Sequence, residues 1–118
     1  MEHLKAYESF INGIKQTETI LTLKDICLEL EDEGFSIHFN KASYRIRLSI
    51  CKYDESSLVD FYWKEVDDVV NRIINYLSDR LVGMTYLKSG GGNFKRIDPK
   101  RNPQPTMDLY DLVIEFSN

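Results

Sequence analysis

The sequence predicts an α+β fold, a two-layer sandwich whose antiparallel sheet of about five strands is covered by helices on one face. Apolar residues recur at helical spacing in three segments and alternate with polar residues in five others. Four of the alternating segments form pairs separated by short turn sequences, which is typical of hairpins. The predicted order is α-α-β-β-α-β-β-β. A chain of 118 residues is sufficient for one domain, so we treat residues 1–118 as a single α+β domain.

Two helices are predicted before the first strand. Residues 1–15 are predicted to form an amphipathic helix, set apart from the rest by a polar stretch, that docks either on its own domain or, as a semi-independent element, on a partner. Thr22, with Asp25 three residues later, resembles a capping box that starts a second helix. Gly34 is placed to end that helix, because glycine readily adopts the left-handed conformation of a C-terminal cap.

A third helix is predicted between the two hairpins. Ser57, with Asp60 three residues later, suggests its first turn, and the apolar stripe that follows continues to about Asp79. The strands predicted by alternation are 35–40, 44–51, 82–88, 93–97 and 110–116. The turns are predicted at 40–43 and 89–92, and the segment 98–106, which holds all three prolines, is predicted to be an extended loop.

One sheet face is expected to stay uncovered and to carry a candidate ligand site. The residues predicted on it are Ser36, His38, Arg45, Arg47, Ser49 and Thr85. Arg45 and Arg47 lie two apart on one strand and therefore point the same way, with His38 across the hairpin. Two guanidinium groups beside an imidazole suit a phosphate or a carboxylate. The alternative is a solvated face on which Asp111 and Glu115 pair with the arginines.

The second hairpin is a candidate nucleic-acid site. Its glycine-rich tip is flanked by basic residues and one aromatic residue, namely Lys88, Phe94, Lys95 and Arg96, with Lys100 and Arg101 following. An aromatic ring stacks on a base while cationic side chains contact phosphates. The glycines precede a strand rather than a helix, so this is not a nucleotide-binding loop of the usual kind. A plain mobile hairpin is the alternative.

No catalytic, metal or cofactor motif is recognisable, so we expect a non-enzymatic protein without cofactor or metal. Cys27 and Cys51 lack the spacing of a zinc or redox pair, and each falls in an apolar segment that predicts packing. The clustered acidic residues near positions 29–33 and 67–68 are typical of a solvated helix face.

The chain carries no apolar run that predicts a membrane span, and its opening lacks a secretory signal pattern, so we expect a cytosolic protein with no membrane partner. The net charge of −4 mildly disfavours non-specific nucleic-acid binding. A sheet with free edges and one bare face leaves a homodimer open.

The N-terminal segment resembles the opening of many small proteins of large tailed bacteriophages. The stretch at residues 3–12 has a basic residue, an aromatic residue, an acid and then Phe-Ile. In part of that group the segment is similar to a short helix that targets internal proteins to the capsid. The resemblance implies that Leu4, Tyr7, Phe10 and Ile11 are docking positions on a protein partner, and that the protein is present in the host cytosol and in the virion.

These observations leave three hypotheses. The first is a small protein-binding protein, a phage virion component or host-takeover factor that docks through its N-terminal helix and open sheet face. The second is a nucleic-acid-binding module that uses the basic sheet face and the glycine-rich hairpin. The third is a small-ligand-binding or enzymatic domain around His38, Arg45 and Arg47.

Overall fold

Alternation of apolar and polar residues along the strands produces the central feature of the fold, an open six-stranded antiparallel sheet. The computed structural model describes residues 17–42 and 44–117. The predicted N-terminal helix, with Leu4, Tyr7, Phe10 and Ile11, lies outside these residues. The strands are β1 (Phe35–Ala42), β2 (Arg45–Asp54), β3 (Ser57–Val59), β4 (Phe61–Tyr62), β5 (Leu81–Leu87), β6 (Lys95–Ile97), β7 (Asp108–Leu109) and β8 (Asp111–Ser117).

The closing strand lies in the middle of the sheet. The order is β1–β2–β8–β5–β6, β3 extends the sheet beside the end of β2, and β4 pairs separately with β7. Both predicted hairpins are confirmed, β1 with β2 and β5 with β6, and β8 is inserted between them. The predicted α+β class and antiparallel sheet are therefore correct, with one more strand in the sheet than expected.

Three helical segments of the described chain cover one sheet face. They are α1 (helical from 17 to 26), α2 (Leu28–Asp32) and α3 (Trp63–Leu77), which is followed by a short 3-10 turn at Ser78–Arg80. Side chains from all three pack with the inward residues of β2 and β8 in one core. Its fully buried members include Leu23, Leu30, Val70, Ile73, Ile46, Leu48, Ile50, Leu112, Ile114 and Phe116.

The predicted start of α3 is wrong. Ser57–Val59 pairs with β2 as β3, and the helix begins at Trp63. The first N–H groups of the helix, which have no partner within it, donate to carbonyl oxygens of the proline-containing loop. Trp63 N donates to Met107 O and Lys64 N to Pro105 O, both at 3.0 Å. The proline-containing loop is thus confirmed as a surface connection, and it also caps the helix.

Two other local predictions need correction. Thr22 does not cap a helix, since the chain is already helical at residue 17 and the Thr22 hydroxyl donates to Glu18 O at 2.9 Å. The first turn is also shorter than predicted, because β1 pairs with β2 as far as Ala42 opposite Arg45. The predicted role of Gly34 is confirmed: with φ of +94° it ends α2 and starts β1.

Candidate functional site

The open face is the side of the sheet that points away from the helices. Strand register brings its side chains into rows across the sheet. One row is His38, Ser49, Val113, Thr85 and Arg96, and the next is Asn40, Arg47, Glu115 and Gly83. All six side chains predicted for the uncovered face, Ser36, His38, Arg45, Arg47, Ser49 and Thr85, follow this alternation.

Arg45 and Arg47 flank a single carboxylate. Arg45 Nη1 lies 3.6 Å and Arg47 Nε 3.8 Å from Glu115 Oε1, and both arginine side chains are about half exposed. At such distances and exposure an ion pair is screened by solvent and is worth roughly 0–1 kcal/mol. The predicted alternative of a Glu115 pair is therefore confirmed. The contacts are weak enough for a ligand to replace them.

His38 lies on the same face in the row next to Arg47. Its Nε2 is hydrogen-bonded to the Ser36 hydroxyl at 2.8 Å, in an exposed setting. Within residues 17–42 and 44–117, no carboxylate pairs with the other ring nitrogen, which an activated serine–histidine pair requires. The exposed Ser36 hydroxyl and His38 ring can hydrogen-bond a ligand on this face.

Asp111 does not pair with the arginines but accepts a hydrogen bond from Cys51. The Sγ–Oδ1 distance is 3.4 Å. Burial and the adjacent Asp111 carboxylate raise the pKa of the Cys51 thiol to about 12, and burial raises that of Cys27 to about 12. Both sulfurs are therefore neutral thiols at neutral pH, as expected for packed cysteines. Periodicity alone did not identify the Cys51–Asp111 contact.

The Phe94 groove is a concavity of about 390 Å³ on the open face. It is lined by Asn40, Arg47, Ser49, Thr85, Phe94, Asp111, Val113 and Glu115. Phe94 is 49% exposed, so a large part of its ring is free to contact a ligand. The structure thus brings Phe94 and Arg47, which the sequence assigned to two separate candidate sites, into one concavity.

The predicted basic hairpin is divided between two sides. Arg96 pairs with Thr85 and points to the open face, whereas Lys95 pairs with Tyr86, which packs against the core. Lys88 is exposed just before the glycine-rich turn, where Gly90, Gly91 and Gly92 all have positive φ. Of the candidate cations Lys88, Lys95 and Arg96, it is Arg96 that lies on the same sheet face as Arg45 and Arg47.

A second concavity, the Gly83 notch, adjoins the Phe94 groove. It has a volume of about 500 Å³ and is lined by Arg45, Leu81, Val82, Gly83, Met84, Thr85, Arg96, Ile97, Asp98, Pro99 and Glu115. Sequence reasoning did not predict it. The available signal was a glycine inside a strand, which often marks a bulge or a close approach, and the pairing of β5 with β8 is irregular between Leu81 and Gly83.

Within the described residues, no group of three or more histidine, cysteine or acidic side chains is arranged to hold a metal ion. No helix in this part of the chain is long and apolar enough to cross a membrane. Comparison with protein-family models, curated proteins and solved structures gives no match for this chain. The chemistry of the open face is thus the basis for assigning a function.

Proposed function

We propose that this protein is a non-enzymatic binding module that holds a single-stranded nucleic acid on its open face. The observation that carries the proposal is the Phe94 groove, where a half-exposed aromatic ring lies beside Arg47, Ser49 and Thr85. Open antiparallel sheets with exposed aromatic residues provide stacking platforms for unpaired bases. Stacking on Phe94 would not depend on the sequence of the strand, because every base has a π-face.

The cations around the groove match the backbone of such a strand. Arg45, Arg47 and Arg96 project from β2 and β6 on the same face, and Arg45 and Arg47 are engaged only by long, exposed contacts to Glu115. Guanidinium groups bind phosphate oxygens bidentately. Lys100 and Arg101, which follow β6 in the chain, are both exposed.

The rest of the molecule limits binding to this face. The helix layer is rich in acidic residues, among them Glu18, Glu29, Glu31, Asp67 and Asp68. A polyanion is repelled more by such a surface than by the open face, where Arg45, Arg47 and Arg96 offset the carboxylates of Asp98, Asp111 and Glu115, so the charge distribution favours the open face despite the net charge of −4. Single strands are favoured over duplexes because the groove offers a ring for unpaired bases.

Binding of a fluorescent dodecamer of deoxythymidine, followed by anisotropy, tests this proposal. We expect saturable binding that weakens with salt, with a log–log slope of about −2 if three phosphates are neutralised. Phe94→Ala should weaken binding by about 5- to 100-fold through lost stacking. Lys64→Gln on α3 is the charge-matched control and should bind like the wild type. Absence of binding at low salt, or equal binding by Phe94→Ala, would contradict the proposal.

A protein partner is the second candidate, favoured by an apolar pair on the helix layer. Leu21 and Leu28, seven residues apart on α1 and α2, are 58% and 52% exposed. The predicted docking positions Leu4, Tyr7, Phe10 and Ile11, the virion or host-takeover role and the cytosolic location all stay predictions. Capture of one partner by the wild type but not by Leu21→Ser/Leu28→Ser would support this candidate, and equal capture by both would remove it.

A further inference from the structure

We propose that the Gly83 notch is the phosphate subsite of the open face, where a backbone phosphate binds between Arg45 and Arg96 while an adjacent base stacks on Phe94. This inference rests on the proposed function and assigns its two chemical components to separate places. It follows from the space at Gly83, from the cations that line that space, and from its continuity with the Phe94 groove.

The space at Gly83 is not explained by backbone conformation. Gly83 is not among the glycines with positive φ, so a residue with a side chain could adopt its conformation. A Cβ built on it would meet nothing within 4 Å. Because Gly83 has no side chain, nothing covers its backbone between Arg45 and Arg96. A bulky ligand group can therefore approach the sheet there.

The notch is lined by two arginines and two carboxylates, so an anion bound there depends on Arg96, whose charge no carboxylate pairs with among the described residues. Arg45 and Arg96 line it from β2 and β6, on opposite sides of the strands that separate them. Across residues 17–42 and 44–117, Arg96 makes no ion pair, so its guanidinium is available. Of the two carboxylates in the lining, Asp98 accepts a hydrogen bond from Lys100 N at 2.9 Å, and Glu115 contacts Arg45.

The notch and the Phe94 groove form one continuous surface. Thr85 and Glu115 line both of them. Thr85 and Gly83 lie two residues apart on β5, which corresponds to about 7 Å along a strand. The two concavities are therefore adjacent, and neighbouring groups of one oligonucleotide can occupy both.

Glu115 acts as an internal competitor for the phosphate. Its carboxylate holds Arg45 and Arg47 when no ligand is present, and a phosphate must displace it. Removing this charge frees both guanidinium groups and lowers repulsion of the incoming anion. Glu115→Gln should therefore strengthen binding by about 3- to 10-fold, whereas a purely structural role for Glu115 predicts no gain.

Salt dependence of binding to the deoxythymidine dodecamer separates the two subsites. Gly83→Val places a branched side chain in the notch without altering any charge, and Arg96→Gln removes one of its cations. Both should weaken binding by about tenfold and reduce the magnitude of the log–log salt slope by about 0.7, the contribution of one phosphate. Phe94→Ala should weaken binding with the slope unchanged. Thermal unfolding of each variant checks that the fold is retained.

The outcomes distinguish this inference from the proposed function. Wild-type affinity and salt slope in Arg96→Gln, together with weakened binding by Phe94→Ala, would overturn the phosphate subsite and leave the binding function intact. No binding by the wild type would remove both. If Gly83→Val fails to fold, Arg96→Gln and Glu115→Gln still test the phosphate subsite. The subsite requires that Arg96→Gln lowers the affinity for the dodecamer and that Glu115→Gln raises it.

Discussion

Strand β2 carries ion pairs on both faces of the sheet, and the two sets differ in strength. On the covered face, Lys52 Nζ lies 2.6 Å from Glu65 Oε1, with both side chains less than one-third exposed. On the open face, Arg45 and Arg47 lie 3.6 Å and 3.8 Å from Glu115, with arginine exposures of 55% and 51%. The Lys52–Glu65 pair links α3 to the sheet. The pairs of Arg45 and Arg47 with Glu115 are screened by solvent, so a ligand can replace them.

The same contrast extends along every central strand, because neighbouring residues point to opposite faces. Ile114 is fully buried, and its neighbours Val113 and Glu115 line the Phe94 groove. Stability and the proposed binding thus depend on alternate residues of the same strands. Substitutions on the two faces should therefore have separable effects on stability and on binding.

The largest effect is expected from truncating the covered face. Ile114→Ala removes a fully buried side chain between β2 and β5 and should lower the free energy of unfolding by about 2–5 kcal/mol. Val113→Thr, one residue away on the open face, should change it by less than about 1 kcal/mol. Urea unfolding of both variants measures the difference. Similar losses at the two positions would contradict the separation.

The next largest difference in stability is expected between alanine substitutions at Gly34 and at Gly83. Gly34 has φ of +94°, and an added Cβ would lie 3.3 Å from Tyr53 O, so Gly34→Ala should destabilise the fold by about 1–2 kcal/mol. Gly83→Ala should leave stability unchanged or slightly higher, since its Cβ meets nothing. Thermal unfolding compares the two. Greater destabilisation by Gly83→Ala would show that the notch has a structural role.

A smaller, pH-dependent effect is expected at Glu65. Burial would raise the pKa of this carboxyl, but hydrogen bonds from Lys52 and from Tyr62 N, with the charges of Lys52 and Lys64, lower it below its ordinary value. A lowered pKa means that stability is gained above the unfolded-state pKa of about 4.3 and lost as pH falls through the folded-state value.

Glu65→Gln should therefore lower the free energy of unfolding by about 1 kcal/mol at pH 7 and show little difference from the wild type near pH 3. Urea titrations across this range measure it. Glu18→Gln, at an exposed helical position, is the control for the Glu-to-Gln substitution itself. A deficit that persists at pH 3 would show that the carboxylate charge is not the cause.

The smallest effect on stability is expected at the open-face ion pair. Arg47→Gln should change the free energy of unfolding by no more than about 0.5 kcal/mol, because its contact with Glu115 is long and exposed. The same substitution should weaken binding to the deoxythymidine dodecamer. A loss of stability above 1 kcal/mol would place Arg47 in the structural framework instead.

Alternation predicted the hairpins and the open face well, because a period of two assigns side chains to faces before any tertiary contact is known. His38, Arg45 and Arg47 were placed correctly for this reason. The insertion of β8 between the hairpins leaves no trace in periodicity. That insertion is what brings Glu115 between the arginines and assembles the Gly83 notch.

The start of α3 shows a second limit of prediction from the sequence. Ser57 and Asp60 have the spacing of a capping box, yet the helix begins at Trp63. Its start is set by carbonyls of Pro105 and Met107, which are remote in sequence, and by Glu65 accepting from Tyr62 N at 2.7 Å. Local propensity cannot identify such distant partners.

The most direct test of the central claim is a titration of the ¹⁵N-labelled protein with the deoxythymidine dodecamer, followed by amide chemical shifts. We expect the shifts to cluster at open-face positions, above all Thr85, Phe94 and Arg96, with little change in α1 and α3. Shifts confined to the helix layer, or none at low salt, would contradict it.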